Sequence, residues 1–164
     1  MTNISKLLEQ ADIFYRFSQT QLDLVANLCE QQTYNTGDVI FYEQKDSDEL
    51  YIITQGEVDI LVDPSIVGTV PESRAKLATI ATLRQGQSFG EIALVDKGMR
   101  SATARAARDN THLLVIPSKE LIQLCETYPQ LGYLLMRNLA ADLALKIRNT
   151  DLRIREKLLY SEMN

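Results

Sequence analysis

The period of hydrophobic positions changes twice along the chain. Ile4, Leu7, Leu8 and Ala11 recur at helical spacing, and Leu22, Val25, Leu28 and Cys29 repeat it after Ser18, a residue suited to capping a helix. Residues 3–30 are therefore expected to be helical and to pack on the segment after them. From Thr33 the pattern shortens to β-rich runs: VIFYEQ at 39–44, ELYIIT at 49–54 and EVDILV at 57–62. Gly37-Asp38, the acidic stretch 45–48 and Gln55-Gly56 punctuate them. In the third run Val58, Ile60 and Val62 alternate with Glu57, Asp59 and Leu61, the pattern of a half-buried strand. Residues 63–74, with Pro64, Gly68 and Pro71, read as a longer loop, and strands resume near 75–83, 101–107 and 111–116.

After Pro117 helical spacing returns. Ser118 is placed to cap a short helix over 119–126, and Pro129 sits where a first-turn proline opens a long helix to about residue 160. Leu131, Leu135, Leu139, Leu143 and Ile147 recur at steps of four. Met136, Ala140, Leu143, Ile147, Thr150 and Ile154 recur at steps of three and four, as in a coiled-coil seam. A helix of about 30 residues is roughly 45 Å long. That exceeds the width of a small barrel, so part of the apolar face is expected to meet a second copy in a homodimer. The alternative is that it folds back on its own roll. Many short strands at even spacing predict a closed or nearly closed antiparallel barrel or roll. The fold class is mainly β with flanking helices, in one domain over residues 1–164: helices at 1–30, the roll at 33–116 and C-terminal helices at 118–160.

Composition narrows the function. The 164 residues are 45% hydrophobic, enough to close a core without staples. Cys29 and Cys125 lie far apart, each in an apolar helical pattern and without a CxxC, and read as buried thiols. No run of 18 apolar residues and no signal peptide is present, so the protein is expected in the cytoplasm with no membrane partner. A net charge of −5 argues against non-specific nucleic-acid binding. Residues 136–164 run against that balance at +2, and read as a solvated helix face. A single histidine, His112, cannot build a His-rich metal site, and no G-x-S-x-G or P-loop appears; an enzyme is not expected.

One stretch, GQSFGEIALVDKGMRSATARA at 86–106, interrupts the β pattern with a glycine and one helical turn. Free N–H groups at such a terminus attract an anion. Arg100 comes after the Lys97-Gly98 turn and leads into a strand, where its guanidinium can fork two hydrogen bonds to phosphate oxygens. Ser101 adds a hydroxyl, and an ionised Glu91 accepts from a diol. The plain alternative is a buried Glu91–Arg100 pair tying the turn to the strand.

The pattern GxxFGEIALxxxxxRSAT, with Phe89-Gly90-Glu91, Ala93-Leu94, Arg100 and Ala102-Thr103 in register, resembles the phosphate-binding cassette of the cyclic-nucleotide-binding domain family. LYIITQGEVDI at 50–60 is similar to its strand–glycine-turn–strand. The resemblance implies a jelly-roll-like β-roll, or double-stranded β-helix, with the cassette at 86–103 and a bound cyclic AMP or cyclic GMP. Glu91 would take the ribose 2′-hydroxyl and Arg100 the cyclic phosphate. Backbone groups of Gly90, Ile92 and Ala93 and the Ser101 side chain would add hydrogen bonds, with Phe89 and Ala102 beside them. Met99 stands where many cassettes carry proline, and the base-contacting hydroxyls expected on the long helix fall near Lys146 and Ile147, with Asn149 and Thr150 close by. No helix-turn-helix segment stands after the long helix before Asn164, so no DNA partner is expected and the output passes through an effector protein or the chain's own dimer. A tightened cassette is expected to press Leu94 and Val95 on Leu121, Leu124 or Leu131. A degenerate roll serving only as a dimerisation or interaction scaffold is the competing function.

Overall fold

The computed structural model describes residues 3–46, 48–67, 76–96 and 98–163. The turn expected at Ser47, most of the loop expected at 63–74 and the Lys97 half of the Lys97-Gly98 turn lie outside the described residues.

The N-terminal stretch breaks into α1 (Ile4–Glu9), a 3-10 turn (Asp12–Phe14) and α2 (Gln19–Ala26). Asn3 caps α1, and Ser18 caps α2 through a reciprocal box with Gln21. Helix ends earlier than the expected residue 30, because Glu30 already opens β1 (Glu30–Tyr34). That strand, EQQTY, lies at the edge of its sheet and carries no apolar alternation to announce it.

Seven further strands complete the roll: β2 (Val39–Phe41), β3 (Glu49–Gln55), β4 (Glu57–Val62), β5 (Ala78–Arg84), β6 (Ser88–Phe89), β7 (Thr103–Ala106) and β8 (Thr111–Pro117). They form two four-stranded antiparallel sheets ordered β1-β8-β3-β6 and β2-β7-β4-β5. Side chains alternate faces along a strand, so β3 and β8 each serve two cores. Tyr51 and Ile53 with Leu113 and Val115 fill the space shared with Val58, Leu83, Phe89 and Ala104 of the roll. Leu50, Ile52, Leu114 and Ile116 point the other way, into a cluster with the helices. In β4 the expected alternation holds only to Ile60. A bulge between Ile60 and Leu61 changes its phase, and Leu61 is buried while Val62 is half-buried.

The chain leaves β8 into α4 (Ser118–Thr127) and α5 (Pro129–Glu162). Pro129 does open the long helix, but Ser118 does not cap α4. Pro117 occupies the cap position, Ser118 is the first helical residue, and its hydroxyl has no hydrogen-bond partner among the described residues. The two helices cross closely at Gly132, where a Cβ would lie 2.9 Å from the Cys125 carbonyl oxygen. Leu131, Leu135 and Leu139 are buried in the helical cluster with Leu8, Phe14 and Leu22, and Leu143 packs on its edge. The step-of-four row therefore serves the chain's own core for three turns. It then emerges, and Ile147 is 62% exposed. The Asn138 amide locks this first half of α5 by donating to the carbonyls of Ile13 at 3.0 Å and Tyr15 at 2.8 Å. Both cysteines are free thiols. Cys29 donates to the Val25 carbonyl at 3.3 Å, and burial pushes its pKa up to about 12, which leaves it inert at neutral pH. Among the described residues no helix is long and apolar enough to cross a membrane.

Candidate functional site

The fold gathers the expected site at one place. Phe89, Gly90, Glu91, Ile92, Arg100, Ser101 and Ala102 border one cavity of about 750 Å³, roofed by the second half of α5. Ala93 is not on its wall: its N–H donates to the Gly90 carbonyl at 3.2 Å. The helical turn between them, α3 (Ile92–Val95), has four residues. So short a helix carries little dipole; the buried positive charge of the site is Arg100, and Lys146, Arg153 and Lys157 of α5 also border the cavity.

Arg100 is 5% exposed. Its guanidinium donates to the Glu49 carbonyl at 3.1 Å and the Gly90 carbonyl at 3.4 Å. It lies over the Phe41 ring, 4.1 Å from its centre, with Tyr51 at 5.6 Å. Phe41, Tyr51 and Phe89 form a mutually packed aromatic floor, Tyr51 and Phe89 being stacked at 5.0 Å. Burial pushes the guanidinium pKa down, opposed by Tyr51, Glu49, Asp48 and Glu91. An arginine nevertheless keeps its charge inside a protein. The expected alternative, a Glu91–Arg100 ion pair, does not form: none of the ion pairs among the described residues includes Arg100. Its Nε is buried without a hydrogen-bond partner among those residues. The site thus presents a desolvated cation held by two neutral carbonyls, with its Nε–H among the donors left to spare.

Gly90 makes that placement possible. Its φ of +77° is open to glycine, and a Cβ there would stand 2.6 Å from Arg100 Nη1 and 2.9 Å from the Glu49 carbonyl oxygen. Ser88 and Phe89 form the short strand β6 against β3, with Phe89 opposite Tyr51.

Glu91 pairs elsewhere. Its carboxylate faces Lys146 of α5 at 3.5 Å, and Lys146 also meets Asp142 at 2.8 Å. Sequence reasoning placed Lys146 near the base without seeing this contact. The Asp142–Lys146 spacing of four is visible in the sequence, whereas the approach of Glu91 depends on how α5 crosses the roll. Ser101 is exposed, and Met99, in place of a proline, is 61% exposed. On α5, Asn149 and Thr150 border the cavity and Ile147 does not. Leu94 is already buried with Leu121 and Leu131, whereas Val95 is 56% exposed. His112 is exposed, and no cluster of three or more metal-ligating side chains occurs among the described residues.

Two antiparallel sheets, flanking helices and a buried arginine beside a glycine turn define a β-roll of the cyclic-nucleotide-binding class. The profile of the cyclic nucleotide-binding domain matches residues 31–128, and the chain belongs to that family. It is 30% identical over 151 residues to the cyclic AMP receptor protein of Thermus thermophilus, covering 90% of this chain and 62% of the relative. It is 25% identical over 124 residues to human cGMP-dependent protein kinase 2, covering 76% of this chain and 15% of that one. The chain thus spans less than two thirds of either relative's length. Among solved structures, the Thermus thermophilus catabolite activator protein superposes with a TM-score of 0.70 at 30% identity, over 92% of this chain and 63% of that one. A cyclic nucleotide-binding domain from Methylobacillus flagellatus reaches 0.78 at 24% identity, over 94% and 82%, a likeness of fold.

The Gly90 geometry makes a direct prediction. Gly90→Ala combines a positive φ with a clash against Arg100 and should lower unfolding free energy by about 1–3 kcal/mol. Chemical denaturation measures it; an unchanged midpoint would mean the turn relaxes at no cost.

Proposed function

We propose that the chain is a regulatory sensor of a 3′,5′-cyclic nucleotide, cyclic AMP ahead of cyclic GMP, and not an enzyme. The observation that carries this reading is Arg100, a buried guanidinium with a spare Nε donor and no carboxylate partner among the described residues. A buried charge is costly unless paired, and a singly charged cyclic phosphate supplies the missing anion with oxygens that suit the guanidinium fork. Glu91 accepts the ribose 2′-hydroxyl. The backbones of Gly90 and Ile92 and the Ser101 hydroxyl add hydrogen bonds, and Ala93 joins only by releasing Gly90. Phe89 and Ala102 wall the pocket. The preference for cyclic AMP rests on the receptor relative's name and greater similarity.

The output runs from the cassette through Leu94 into the core shared with Leu121 and Leu131. From there it passes to an effector protein or a second copy of the chain in the cytoplasm. The dimer reading is supported by α5. Ile147, Ile154 and Leu158 are all more than half exposed and recur at steps of seven and four; Ile147 and Leu158 lie off the pocket wall, whereas Ile154 borders it.

Calorimetry should show both nucleotides binding, with Arg100→Ala costing about 2–5 kcal/mol and Glu91→Ala less, since it loses a contact to a neutral hydroxyl. Equal binding by wild type and Arg100→Ala defeats the site, and no binding by wild type favours the scaffold function. Sedimentation should give a dimer that Ile147→Asp with Ile154→Asp converts to monomer; a wild-type monomer at high micromolar concentration contradicts the α5 interface.

A further inference from the structure

We propose that Lys146 is a positioning residue for the nucleotide: from the long helix its ammonium balances and orients the Glu91 carboxylate toward the ribose, so that filling the pocket and docking α5 are one linked equilibrium. The inference rests on the nucleotide-sensing reading above and adds a residue to that site.

Lys146 joins three elements at one ammonium. It meets Asp142 one turn back on α5 at 2.8 Å, the Ser88 carbonyl of β6 at 2.8 Å and Glu91 at the start of α3 at 3.5 Å. The Glu91 and Asp142 side chains are only 13% and 8% exposed. Two carboxylates so enclosed repel each other unless a cation stands between them. Asp12, in the N-terminal 3-10 turn, belongs to the same field. Burial raises its pKa, Asp142 raises it further and Lys146 lowers it.

Lys146 donates a hydrogen bond to the Ser88 carbonyl, whereas Asp142 Oδ2 and Glu91 Oε2 both lie within ion-pairing range of it without a hydrogen-bond partner among the described residues; of the two carboxylates, Glu91 is the one carried by the cassette. Its charge is balanced while its acceptor capacity stays open for a hydroxyl. A closer lysine would compete with the ribose; without the lysine the carboxylate is free to turn away. The Ser88 contact also fixes the second half of α5 to the strand that carries the cassette, beyond the Asn138 anchor. A ligand that depends on a Glu91 held in place by Lys146 binds better when α5 is docked, and by linkage it favours docking.

The test compares cyclic AMP with 2′-deoxy-cyclic AMP by calorimetry at fixed salt. Wild type should prefer the ribonucleotide about 10–100-fold, the value of a hydrogen bond to a charged acceptor. Lys146→Met should weaken cyclic AMP about tenfold or more and reduce that preference to about threefold or less, because the hydroxyl has lost its acceptor. Lys146→Gln, which keeps a donor without the charge, should do the same, and Lys146→Arg should restore most of the preference. A merely structural lysine would weaken both ligands equally, so an unchanged ratio in folded Lys146→Met or Lys146→Gln overturns the proposal. Failure of wild type to bind either nucleotide overturns the sensing reading itself, and this inference with it.

Discussion

A guanidinium cannot shed its proton to escape burial, so a protein that buries one must compensate the charge. At Arg100 the compensation is partial: two backbone carbonyls, the face of Phe41 and no carboxylate within ion-pairing range among the described residues. Much of the surrounding architecture serves that placement. β3 supplies the Glu49 carbonyl and the Tyr51 ring. Gly90 clears the space that any Cβ would take, and β6 sets Phe89 against Tyr51. A cation left short of a partner in a cavity of about 750 Å³ is the physical basis for reading the site as an anion receptor.

The same strands explain how such a site reaches the helices. Because faces alternate, Tyr51 lies on the pocket floor while its neighbours Leu50 and Ile52 lie in the helical core. The cassette repeats the arrangement over four residues, with Gly90 against Arg100 and Leu94 packed among Leu121 and Leu131. No long relay is needed between ligand and helix. α5 itself is held in two ways: its first half by apolar burial and Asn138, its second half chiefly by polar contacts at Lys146. Apolar packing of the first kind is hard to undo. Contacts of the second kind can be biased by the occupant of the pocket.

The range of the forces involved decides which features the sequence discloses and which it conceals. Periodicity marked both helical ends, Pro129 marked the start of α5, and the β3–β4 hairpin lay close to its expected bounds, because these are local preferences. The candidate site residues Phe89–Ala93 and Arg100–Ala102 were legible as one sequence pattern and, apart from Ala93, they border one cavity. β1 begins at Glu30, three residues before the expected start of the roll at Thr33, because a polar edge strand has no alternation to read. The phase of β4 changed at a bulge, which no spacing rule anticipates. Ser118 resembled a cap by residue type, yet the chain enters the helix one residue earlier, at Pro117. The partner of Glu91 was concealed for a different reason. Lys146 lies 55 positions away, and only the crossing of α5 over the roll brings them together.

If Arg100 is a preformed cation awaiting a phosphate, its Nε–H group must report the arrival of the ligand, and nuclear magnetic resonance reads that group. The resonance should be assigned in isotopically labelled protein through its loss in Arg100→Lys, then followed as cyclic AMP is added. It should move to a hydrogen-bonded position and become slow to exchange at saturation, while the other arginine Nε–H signals stay nearly still. An Arg100 Nε–H that remains unshifted and fast to exchange when the nucleotide is fully bound would contradict the assignment of Arg100 as the phosphate's partner.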